Sequence, residues 1–206
     1  MKRLIAASAL LAITGVANAG LSFSQASTGT RTEAFNVAGL PTFAVGTTLS
    51  LGSLVTNQTG VVTFTFLGQE SGYVDQFNLL VNGQSLFESN PIGTSISAAV
   101  NSLGAINFSF TENTGAANYA VNGGYWAPNT SIGLIGQNMA FANKSYAYVL
   151  GYNDSAGTAR LGDWDDFAVG VNFTPTTPVP EPETYAMLMA GLGILGWTAR
   201  RKKNRA

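Results

Sequence analysis

The run Val61-Val-Thr-Phe-Thr-Phe-Leu67 alternates apolar and polar side chains over β-branched and aromatic residues. A period of two places alternate residues on opposite faces, as in a half-buried strand. The same alternation recurs at Ala105–Phe110, less cleanly at Ser145–Leu150, and as a last strand at Phe167–Phe173. Asn57–Gly60 reads as a turn before the first of these runs, and Asn82-Gly83 inside Leu79–Phe87 is a short-range hairpin signal. Turn clusters at Asn113–Gly115, Asn122–Gly124 and Asn153–Gly157 punctuate the rest. No segment of the body holds a long helical period and none repeats. Residues 20–173 are therefore expected to form an all-β fold, a single antiparallel β-sandwich of jelly-roll-like form.

The two ends depart from this pattern. Lys2-Arg3, the apolar stretch Leu4–Val16 and Ala17-Asn-Ala19 follow the order of a secretory signal peptide, with cleavage after Ala19. At the other end, four of the seven prolines (175, 178, 180 and 182) keep residues 174–183 extended. Residues 184–199 carry no charge, and Tyr185 and Trp197 bracket them as interfacial aromatics would. A single transmembrane helix is expected there. Arg200, Arg201, Lys202 and Lys203 follow as a stop-transfer cluster, with residues 200–206 as a basic cytoplasmic tail. Gly191–Gly196 matches GxGxxG in letters only, because no strand precedes it and it lies inside the apolar block.

Pro180-Glu181-Pro182, the apolar block and the terminal basic cluster, in that order, resemble a PEP-CTERM sorting signal. The resemblance implies a Gram-negative bacterium that makes exopolysaccharide. It implies a signal peptidase acting at the N-terminus and an exosortase acting near the Pro-Glu-Pro motif. The tail would be a transient inner-membrane anchor, and the mature protein would reach the cell surface or the extracellular matrix. A structural or adhesive role associated with exopolysaccharide or biofilm is the expectation that follows. The alternatives are a carbohydrate- or calcium-binding module and, further off, a carboxylate-dependent glycoside hydrolase.

Composition narrows the chemistry. The chain has no Cys and no His, which removes thiolate and imidazole nucleophiles, bases and metal ligands. Between residues 20 and 183, three cations (Arg31, Lys144 and Arg160) face all eleven carboxylates, so nucleic acid is not an expected partner. With no catalytic motif, the chain is expected not to be an enzyme. The densest polar set is Asn153, Asp154, Asp163, Asp165 and Asp166. Carboxylates this crowded are either solvated or bridged by a hard cation, so these residues are a candidate Ca²⁺ site, although their spacing is not that of an EF-hand. Glu70, Asp75, Glu88 and Glu112 are scattered along the chain and read as solvated surface groups. Trp126 and Trp164 stand in turn-like contexts and are the candidate exposed rings for stacking on a sugar; most other aromatics read as core.

Overall fold

The structure, a computed structural model, describes residues 20–31, 35–40, 44–112, 119–122, 131–154, 162–176 and 186–194. Among them are twelve strands: β1 (Leu21–Thr30), β2 (Thr48–Thr56), β3 (Gly60–Gly68), β4 (Asp75–Leu79), β5 (Gln84–Phe87), β6 (Ser95–Val100), β7 (Gly104–Ala105), β8 (Ser109–Glu112), β9 (Tyr119–Val121), β10 (Ser131–Phe141), β11 (Lys144–Asn153) and β12 (Phe167–Pro175). Every pairing is antiparallel. The larger sheet runs β1-β2-β10-β11-β12-β3-β6 with β7 on β2, and is curled; the smaller runs β5-β4-β8-β9. The expected β class holds. The strands divide eight and four, where a jelly roll would share them more evenly.

The period of two explains how the large sheet buries both faces. On β12, Phe167, Val169 and Val171 enter the core between the sheets, where they meet Phe77, Leu79 and Phe110 of the small sheet. Ala168, the intervening residue, joins a second cluster with Phe35, Val37, Leu49, Val149 and Trp164. The first core is a run of rings: Phe64 and Phe77 lie 4.5 Å apart, and Phe110 stacks on Tyr152 at 5.1 Å.

Two local features refine the sequence reading. Leu79 pairs with Gln84, so Asn82-Gly83 closes a β4–β5 hairpin as expected, with Gly83 at φ +73°. Ala105–Phe110 is not one strand. Ala105 pairs with Val55 in the large sheet, whereas Ser109 begins β8 in the small one. Ile106 and Phe108, both buried, cross the core between them. Asn122 holds that crossing by accepting from Leu54 N–H (2.7 Å) and donating to the carbonyls of Leu54 (2.7 Å) and Ile106 (2.8 Å).

The transmembrane helix expected at 184–199 is described only in part. Residues 186–194 are helical, and among the described residues no helix is long and apolar enough to cross a membrane. Nine residues rise only about 14 Å, short of a hydrocarbon core of about 30 Å. The remaining residues of the expected 184–199 span lie outside the described residues. So do Ala17 and Ala19, Pro180, Glu181 and Pro182, Arg200, Arg201, Lys202 and Lys203, and Trp126.

Candidate functional site

Every Asp and Glu among the described residues gathers at one end of the body. The pairing of Ala168 with Gly68 sets the turn after β3, carrying Glu70 and Ser71, beside residues 162–166. The β4–β8 register pairs Asp75 with Glu112. Glu88, just past β5, accepts the Asp75 N–H at 2.7 Å. Asp154 at the end of β11 accepts from the Ser71 hydroxyl and donates its N–H to Asp166 Oδ2 at 2.8 Å.

These side chains are not solvated. Asp75 and Asp165 are fully buried, and Asp163, Asp154, Asp166 and Glu112 nearly so; only Glu70 and Glu88 are half-buried. The reading of Glu70, Asp75, Glu88 and Glu112 as solvated surface groups is thus corrected. Strand pairings between residues far apart in sequence bring them together, and no local spacing announces that.

The cluster has two halves. In one, Asp165 Oδ2 accepts the backbone N–H groups of Asn36 (2.5 Å) and Val37 (3.2 Å). The Asn36 side-chain amide donates to Glu70 Oε2 at 3.1 Å. Glu70, Asp163 and Asp165 each offer a carboxylate oxygen within 4.8 Å of the others, a set able to hold a metal ion. Arg31, buried beside Asp165 and Asp163, packs its guanidinium 3.8 Å over the Phe35 ring. Burial lowers the Arg31 pKa, and the two carboxylates oppose that shift. Burial also pushes Asp163 up to about 8, with Asp165 and Glu70 adding to it.

The other half comprises Asp75, Glu88, Glu112, Asp154 and Asp166, packed against Tyr152 at the end of the ring stack. Burial raises Asp75 to about 9, with Asp154, Glu88 and Glu112 adding to it. Asp166 rises to about 10, first from burial and then from Asp154. Burial and the neighbouring carboxylates, Asp75 foremost, push the Tyr152 hydroxyl up as well. The apolar rings supply the low dielectric that makes each ionised form costly.

The five residues singled out for Ca²⁺ therefore separate. Asp163 and Asp165 join Glu70, which the local pattern had not suggested. Asp154 and Asp166 belong to the other half, and Asn153 is buried within β11, paired to Ser131.

Trp164 is also corrected. It is buried in the second core, not exposed for stacking. Three glycines make its room. A Cβ on Gly29 would lie 2.3 Å from the indole and one on Gly133 2.8 Å, while one on Gly151 would lie 1.8 Å from the Trp164 carbonyl oxygen. The flat ring over this glycine patch pins the segment that carries Asp163, Asp165 and Asp166.

The tail provides the family evidence. Residues 178–203 match the PEP-CTERM protein-sorting motif. The tail therefore carries a PEP-CTERM sorting motif. That motif supports an exported protein processed at the membrane by an exosortase. No curated protein and no solved structure matches the chain.

Proposed function

We propose that this PEP-CTERM chain is a non-enzymatic protein of the cell surface or extracellular matrix, structural or adhesive in role, whose tail anchors it only until processing. One structural observation carries the anchor. Each residue of the helix at 186–194 is exposed, including Met187, Leu188, Met189, Leu192 and Ile194 at 56–74%. An apolar helix bare on every side needs an apolar surrounding, and lipid supplies it. With the uncharged residues on either side, the full segment would span the membrane.

A structural body is favoured over a hydrolase by the burial of the acids. Glycoside hydrolysis needs two carboxylates flanking the scissile bond and open to a bulky substrate. Six of the eight clustered carboxylates here are buried, and several are occupied in tying loops together.

The test is the intact mass and cellular fraction of the protein from its own host. Loss of residues 1–19 and of everything beyond the Pro180–Pro182 region, with the product outside the cell, is the expected result. A full-length tail retained in the inner membrane would overturn the transient anchor.

A carbohydrate-binding role has one specific observation in its favour. The registers Phe87–Gln76, Gln76–Thr111 and Thr111–Tyr119 line up one row across the outer face of the small sheet. Phe87 and Tyr119, both about half exposed, bracket a neutral polar strip. Rings at the ends of such a strip suit sugar faces, in place of Trp164. Phe87→Ala and Tyr119→Ala would each weaken retention on the host's exopolysaccharide if this reading holds.

A further inference from the structure

We propose that Glu70, Asp163 and Asp165 form a Ca²⁺ site. Two observations meet there. The first is spacing: two oxygens on opposite sides of a Ca²⁺ ion with bonds of about 2.4 Å stand about 4.8 Å apart, and the three carboxylates offer oxygens within that distance of one another. The second is an unmet need inside the same set. Asp163 Oδ1 and Asp165 Oδ1 are buried, and neither has a hydrogen-bond donor among the described residues. Both residues are at most 2% exposed. A buried carboxylate oxygen left without a donor is costly, and a cation removes that cost.

Charge and ligand type select the ion. Once a bound ion has displaced the proton from Asp163, three carboxylates against the neighbouring Arg31 carry a net charge that one divalent cation balances. All donors are hard oxygens in a chain with neither Cys nor His, which suits Ca²⁺ or Mg²⁺ and not softer metals. Asp163 and Asp165 have each surrendered their water. Mg²⁺, which keeps its water shell and demands an octahedron, fits that worse than Ca²⁺, which accepts irregular oxygen cages. Glu70, only half-buried, is the open edge through which the ion enters and solvent completes its shell.

The site is positioned before any ion arrives. Asn36 donates its backbone N–H to Asp165 and its side-chain amide to Glu70, turning both carboxylates toward each other. Trp164 fixes the backbone between Asp163 and Asp165 against Gly29 and Gly133. The ion would therefore tie the turn after β3 to the segment before β12, both of which residues 36 and 37 already hold by hydrogen bonds.

The experiment uses the full-length chain in mild detergent, stripped with EGTA and titrated with Ca²⁺ or Mg²⁺ while its thermal midpoint is followed. At free Ca²⁺ about 100-fold above the dissociation constant, linkage raises the midpoint by about 5–10 °C for a body this size. Glu70→Gln and Asp165→Asn each remove that rise, and Asp75→Asn keeps it. Asp165→Asn could fail to fold, and Glu70→Gln, at the half-exposed edge, then carries the test. A midpoint indifferent to Ca²⁺ up to millimolar concentration overturns the proposal. So does a Ca²⁺ rise that survives Glu70→Gln, or a rise of the same size with Mg²⁺.

Discussion

The two halves of the carboxylate cluster hold the same kind of side chain at the same end of the fold, yet they settle repulsion differently. Around Asp165 the segment 35–37 brings two backbone N–H groups and an amide, and Arg31 brings a guanidinium. Around Asp75, by contrast, neither side-chain oxygen has a donor among the described residues, and the neighbours Asp154, Glu88 and Glu112 are all acids. The first half meets its charge with backbone donors, an amide and a guanidinium, and Asp163 within it is raised by burial as well. The second lowers its charge by keeping protons, as burial and the nearby carboxylates dictate. Density of carboxylates therefore says little about what a cluster does; the donors that the backbone delivers to it decide.

The variant expected to break both halves at once is Trp164→Ala. It leaves a cavity over Gly29 and Gly133 and frees the segment bearing Asp163, Asp165 and Asp166. The expected loss is about 3–5 kcal/mol by urea unfolding, together with any Ca²⁺ response. Next in size is Arg31→Met, which acts on one half only. Removing the guanidinium from buried carboxylates costs about 3 kcal/mol without metal. The same change deepens the negative charge at the site, so added Ca²⁺ should recover more stability in the variant than in the parent. A smaller Ca²⁺ recovery in the variant would show that Arg31 and the ion do not share those charges.

A third variant separates the halves by pH. The folded pKa of Asp75, about 9, lies above its unfolded value of about 3.9. Between these values the folded state holds a proton that the unfolded state has released. Its contribution to stability is fully present below pH 4 and falls as pH rises to about 9. Asp163 and Asp166 act in the same direction. In EGTA the body should therefore lose stability from pH 5 to pH 8. Asp75→Asn should make that decline shallower by up to about 1.4 kcal/mol per pH unit. An unchanged slope would mean that Asp75 is ionised in the folded protein.

The sequence made parts of this site legible and hid the rest for a physical reason. The alternation in Val61–Leu67 and Phe167–Phe173 identifies β3 and β12, because side chains that alternate between two faces write a strand locally. The crowding of Asp163, Asp165 and Asp166 is equally local. Glu70 and Asp75 become site residues only through the β12–β3 and β4–β8 registers, which are set by packing between distant segments. The turn-like context of Trp164 suggests exposure, whereas Gly29 and Gly133, from strands far apart in sequence, make a bed for its ring and Gly151 makes room for its carbonyl. β10 carries no clean alternation because its glycines, Gly133 and Gly136, interrupt it, and one of them serves that bed.

The smallest effect expected is that of Glu88→Gln, and it bears most directly on how the second half works. Glu88 is half-buried and accepts the Asp75 N–H at 2.7 Å. The glutamine oxygen can accept the same bond, so global stability should change by less than about 1 kcal/mol. Burial is the main cause of the high Asp75 pKa, and Asp154 and then Glu88 add charge repulsion to it. Removing one of those charges should lower the Asp75 pKa while leaving it above the ordinary carboxylate range, as read from its side-chain carbon resonance across a pH titration. A fall all the way to the ordinary range would assign the shift to Glu88 and not to burial at the end of the ring stack. The contrast between the halves would then rest on a single surface-edge charge instead of on the donors each segment brings.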